Sequence, residues 1–144
     1  MSYGECGNAC SWNYNYTSKT LSIDGETMND FAINEVPWKD HITQIETVLV
    51  LSTSNIGTNA FNGCISLSVL SLPKLRSTIY SSAFYGCSSL STLILASTTV
   101  CALSNSNAFT GTPIASGTGY IYVPSALIAS YKTAARWSYF SKYF

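Results

Sequence analysis

Charge is scarce in this chain. Asp, Glu, Lys and Arg together make up 10% of its 144 residues, against roughly 25% in ordinary soluble domains. Ser, Thr, Asn and Tyr must solvate the surface instead. Acids are missing altogether after Glu46. Histidine is reduced to one, His41, so a Ser–His–Asp or Cys–His catalytic arrangement would have to use it, and no supporting motif surrounds it. No apolar run approaches the roughly 20 residues of a membrane-spanning helix. The first residues show no basic stretch followed by an apolar one, so no secretory signal is visible. Glycines between Gly111 and Gly119 lack the spacing of a phosphate-binding loop. Five cysteines are too few for a disulfide scaffold, and their number is odd.

What is present is repetition. Ala60-Phe61-Asn62-Gly63-Cys64 and Ala83-Phe84-Tyr85-Gly86-Cys87 are one phrase, 23 positions apart, and Ala108-Phe109-Thr110-Gly111 is a degenerate third copy. A fixed period in the twenties is the mark of a solenoid. Ahead of each phrase runs an apolar pattern at i, i+3, i+5: Ile45, Val48, Val50; then Leu67, Leu70, Leu72; then Leu90, Leu93, Leu95. The last two positions alternate along a strand and point inward. Ile56 and Ile79 mark a second apolar point in each coil. The Ala-Phe phrase reads as a short helical or 3-10 turn. It would stack Phe61, Phe84 and Phe109 as a ladder, with Cys64 over Cys87 and glycines supplying a special conformation or a close approach. Pro73 is expected to close the second strand.

The flanks do not repeat. Trp12, Tyr14 and Tyr16 alternate with Asn13 and Asn15, and Asp24-Gly25 is a hairpin turn signal. A β-hairpin cap over residues 1–42 is predicted, with Phe31, Val36, Pro37 and Trp38 folded over the first coil. Four coils follow over 43–118, the last of them stretched by Ser/Asn/Gly-rich loops. Residues 119–144 should give the last strand, at Tyr120-Ile121-Tyr122-Val123, and a helical cap. Ser125 would cap its helix, and Leu127, Ile128, Tyr131 and Ala135 would share the buried face. Sequence order is spatial order in a solenoid. Residues 1–46 hold all seven acids and two lysines, a net of −5, and residues 47–144 carry +5. One end should be acidic and the other basic, a field that can favour weak head-to-tail self-association.

Ile-Gly-x-x-Ala-Phe-x-Gly-Cys-x-Ser-Leu (56–67) and Ala-Phe-Tyr-Gly-Cys-Ser-Ser-Leu (83–90) resemble the BspA-like leucine-rich repeat family. Cys6-Gly7, Trp12-x-Tyr14 and Pro37-Trp38 resemble its N-terminal cap, and Phe109 through Trp137-Ser138 its C-terminal cap. The resemblance implies a right-handed leucine-rich solenoid. It also implies bacterial cell-surface, secreted or phage-associated proteins that bind proteins or matrix components, with no enzymatic activity and no cofactor. An adhesion-type interaction module is therefore expected, with a structural spacer or head-to-tail assembly unit as the alternative.

Candidate chemistry is thin. Cys6 and Cys10 can form a disulfide in an oxidising compartment, or join His41 around zinc, although a second ligand pair is lacking. Cys64 and Cys87 read as buried thiols, with a disulfide feasible. Asn15-Tyr16-Thr17 is a glycosylation sequon only on a eukaryotic secretory route. Lys132, Arg136 and Lys142 read as solvated edges of a cap, not as a nucleic-acid site. The remaining site is a surface. If the aliphatic pairs point in, Thr47, Val69, Thr92 and Tyr120 form one outward row, and Leu49, Ser71, Ile94 and Tyr122 the next. Four strands give such a face roughly 300 Å², well below the ~800 Å² per partner of a standard protein interface.

Overall fold

The computed structural model describes residues 2–72 and 78–144, so the expected strand end at Pro73 lies outside the described residues. The chain opens with β1 (Ser2–Asn15) and β2 (Thr20–Met28), paired antiparallel from Gly7 opposite Met28 to Asn15 opposite Thr20. The reversal falls at Tyr16–Lys19, not at Asp24-Gly25. Asn15 builds it, its Oδ1 accepting the backbone N–H groups of Thr17 at 2.9 Å and Ser18 at 3.1 Å, the local bonding that makes Asn a turn residue. Gly25 lies in mid-strand opposite Cys10. Its φ is +136°, and a Cβ there would collide with the carbonyl oxygen of Ala9. Glycine is needed for a close approach of two strands, which mimics a turn signal in sequence.

From β2 the chain winds in coils. β3 (Thr47–Val50), β5 (Val69–Leu72), β7 (Thr92–Leu95) and β9 (Tyr120–Tyr122) extend the hairpin into one six-stranded sheet, parallel from β2 onward. Its inward register is Leu21, Val48, Leu70, Leu93 and Ile121. All five are sealed from solvent. On the opposite side β4 (Asn55–Ile56), β6 (Thr78–Ile79) and β8 (Ala102–Leu103) form a small parallel sheet. The result is a mainly-β solenoid of three complete coils plus a fourth strand, β9, where the sequence suggested four coils.

The Ala-Phe phrases form tight turns closed by i to i+3 bonds, such as Ala60 N–H to the Gly57 carbonyl and Cys64 N–H to the Phe61 carbonyl, both 3.2 Å. The third copy is a 3-10 turn over Ser106–Phe109, capped by Asn105, whose side chain accepts from Asn107 N–H at 3.0 Å. Gly63, Gly86 and Gly111 all have φ between +74° and +81°. A Cβ at Gly63 would meet nothing within 4 Å, so the first of these glycines serves conformation rather than closeness. The three phenyl rings stack, Phe61 to Phe84 at 5.3 Å and Phe84 to Phe109 at 5.5 Å, within 10° of parallel. Backbone bonds run beside them: Phe61 N–H donates to Ala83 O and Phe84 N–H to Ala108 O, both 2.8 Å.

Each end of this spine is closed by tryptophan. Trp38 stacks on Phe61 at 5.3 Å, and its indole N–H donates to Ala60 O at 2.9 Å, standing in for the backbone N–H of a missing coil. Trp137 packs on Phe109 at 5.9 Å and donates to Cys101 O at 2.6 Å. The Tyr131 hydroxyl accepts from Cys101 N–H at 3.0 Å, and Arg136 donates to Leu103 O at 3.3 Å. These side chains bond the backbone at and beside β8 that a further coil would otherwise pair. The final cap is shorter than expected. After α1 (Pro113–Ser116), a 3-10 turn at Ser125–Leu127 leads into α2 (Ile128–Thr133) and a 3-10 segment at Trp137–Tyr143. Ser125 lies inside its turn and caps nothing. Ala134, not Ala135, packs against the core, because the helix ends at Thr133.

Candidate functional site

The outward side of the large sheet carries all eight expected face residues. Strand register aligns Thr20, Thr47, Val69, Thr92 and Tyr120 in one row, and Ser22, Leu49, Ser71, Ile94 and Tyr122 in the next. The hairpin lengthens both rows by one strand, through Asn15 and Asn13. Thr47, Leu49, Val69, Ser71, Thr92 and Ile94 are half-buried among their neighbours. Tyr120 and Tyr122 stand out, 63% and 56% exposed, their rings 6.4 Å apart. Neither row contains a charged residue. Charge begins beyond them, with exposed Asp24 and Glu26 further along β2, and with Lys19 paired to Glu46 at 2.9 Å on the other side. Six strands span about 24 Å, and the face covers roughly 400 Å².

One depression opens on this face, and the lining of a larger one includes none of the face residues. A notch of about 240 Å³ opens at its last strand, walled by Ile94, Leu95, Ala96, Tyr122, Val123 and Pro124, and its lining is wholly apolar. A larger depression of about 590 Å³ lies around Gly111–Thr118 and Ser88. It holds no titratable side chain, so size alone does not make it the better candidate.

The groups able to do chemistry are tied up structurally. Cys6 and Cys10 form a disulfide, which removes both from any zinc site. His41 stacks on Tyr14 at 4.4 Å and abuts Trp12 and Tyr16, an aromatic brace for the hairpin. Among the described residues no three His, Cys, Asp or Glu side chains converge as metal ligands. Cys64, Cys87 and Cys101 are buried free thiols. Cys87 donates to Phe61 O at 3.0 Å. A hydrogen bond with Cys87, then burial, pushes the Cys64 thiol well up. Burial pushes Cys101 up to about 12. Cys64 and Cys101, so held, are not nucleophiles at neutral pH.

A family model described as BspA type leucine rich repeat region (6 copies) matches residues 41–125, more than half of the chain. The chain belongs to the BspA-type leucine-rich repeat family. No curated protein and no solved structure matches it. A BspA-type repeat region is a protein-interaction scaffold in general, and such solenoids are typically non-enzymatic.

Three features of this BspA-type solenoid escaped sequence reasoning. Trp38 lies 23 positions before Phe61, the repeat's own period, so it is the first rung of the ladder; the spacing was there to be counted. Leu21 and Ile23 pair directly with Val48 and Val50, so the hairpin belongs to the face; their alternation was the available signal. The apolar notch depends on how Pro124 turns away from β7, and nothing in spacing or composition signals it.

Proposed function

We propose that this BspA-type domain is a non-enzymatic adhesion-type module, surface-exposed or secreted, that binds a protein or extracellular-matrix ligand through Thr47, Leu49, Val69, Ser71, Thr92, Ile94, Tyr120 and Tyr122. The observation that carries the reading is the charge-free outward face, which keeps Leu, Val and Ile half-exposed and ends in two exposed tyrosines. Aromatics enriched in a patch from which charges are excluded are the composition of a binding surface. The Cys6–Cys10 disulfide supports an oxidising location. The modest area favours weak binding made firm by several copies. The test is retention on an immobilised panel of extracellular-matrix proteins. The wild-type domain is expected to bind, and Leu49→Asp and Tyr122→Asp to abolish retention. A wild-type domain that binds nothing on the panel sinks the reading.

A second reading, a spacer stacking head to tail, is favoured by the −5 and +5 halves. It has to work through the caps, because Ile121 of the last strand is only 2% exposed and offers no free edge. Sedimentation at low and high salt decides it. Salt-sensitive self-association supports the spacer, and a strict monomer at low salt ends it.

A further inference from the structure

We propose that the face takes a short extended peptide, anchored by one apolar side chain in the notch beside Tyr122 and cationic at its other end. This rests on the interaction reading above and names the chemistry of the partner. Three observations carry it.

The first is the notch. An open notch of about 240 Å³ is lined by Ile94, Ala96, Tyr122, Val123, Pro124 and Leu95 with no polar surface in the lining. It stands at the end of the Ser22–Tyr122 row, beside a ring that is 56% exposed. An apolar pocket that desolvates one side chain is how binding surfaces concentrate their affinity. A sugar would fit it badly, since hydroxyls buried there would find no partner. Phosphate-bearing ligands are disfavoured by rows without a cation.

The second is area. Roughly 400 Å² is half of what a folded partner normally covers on each side. It suits one extended strand of about seven residues, which spans the ~24 Å width of the sheet.

The third is charge at the opposite end. Asp24 and Glu26 are exposed on β2, and the first 46 residues carry −5. Asp24 also accepts from the Ser52 hydroxyl, which holds it in place. Among the described residues, Lys19 at the end of the hairpin turn is paired to Glu46. A cation on the ligand would complete this end. Three to four strand spacings separate β2 from β7 and β9, about 14–19 Å, or four to six residues of extended chain.

The experiment pans a phage-displayed library of short random peptides on the intact domain, then measures synthetic copies of the enriched sequences by fluorescence polarisation. The winners should pair an apolar or aromatic residue with Lys or Arg four to six positions away. Their affinity should fall about tenfold or more on Tyr122→Ala and on Ile94→Asp. On Asp24→Asn or Glu26→Gln it should fall several-fold and depend less on salt. Circular dichroism checks that each variant is folded, and Tyr122→Ala, at an exposed site, keeps the test open if Ile94→Asp unfolds. No enrichment, winners without the pattern, or equal binding by Tyr122→Ala overturns the proposal. So does a Tyr122-dependent signal on a neutral-glycan array with none from the peptides. If Leu49→Asp abolishes matrix-protein retention while the peptide library fails, the interaction reading stands and this inference falls.

Discussion

Val69 and Leu70 are neighbours in one strand, yet they answer to different demands. Leu70 is sealed between Val48 and Leu93 in an unbroken aliphatic register. Val69 is half-buried in a row that reads Thr, Thr, Val, Thr, Tyr from β2 to β9. Inside, each coil repeats the last, because a stacked coil can only bury what its neighbour exposes. Outside, identities change from coil to coil, and the change ends in two exposed tyrosines. The inner line therefore specifies the solenoid. The outer line is free to specify a ligand.

Breaking the inner line should have the largest effect. Phe84 has parallel rings on both sides, at 5.3 and 5.5 Å, so its loss leaves a cavity with no way to collapse. Phe84→Ala should cost about 3–5 kcal/mol in denaturant unfolding. A smaller loss should follow at the ends of the spine. Trp38→Phe keeps the stack on Phe61 but removes the donor to Ala60 O, and should cost about 1–2 kcal/mol by the same measurement.

Alkaline pH sharpens the comparison from another side. Burial raises the Cys101 thiol from 9.0 to about 12, so the folded chain holds that proton more tightly than the unfolded one. The stabilisation is complete below the unfolded value of 9.0 and is lost as pH climbs towards 12. Melting temperature should be insensitive to this group near neutrality and fall above about pH 9, and Cys101→Ala should flatten part of that fall. Outward substitutions should matter least to folding. Leu49→Ser and Thr92→Ser should each shift stability by less than about 0.5 kcal/mol.

The same division explains what the sequence could reveal. Period and phrase are properties of the inner line, so the Phe ladder, the strand positions and the outward rows were legible from 23-residue spacing and alternation. Asp24-Gly25 misled because a glycine demanded by two strands in contact looks like a glycine demanded by a turn. Ser125 misled because Pro124 takes the N-cap position of the 3-10 turn, which leaves the serine inside it. The disulfide could be weighed but not decided, since Cys6 and Cys10 meet only because the strand is distorted at Ala9, which has φ +46° and drops out of the pairing. The notch arises where β9 leaves the sheet, a tertiary event with no local pattern.

The most direct test of the division is Tyr122→Ala measured twice, by equilibrium unfolding and by retention on the matrix-protein panel that the wild-type domain binds. Stability within about 0.5 kcal/mol of wild type, together with lost retention, is the predicted result. Retention unchanged, or a stability loss approaching that of Phe84→Ala, would contradict it.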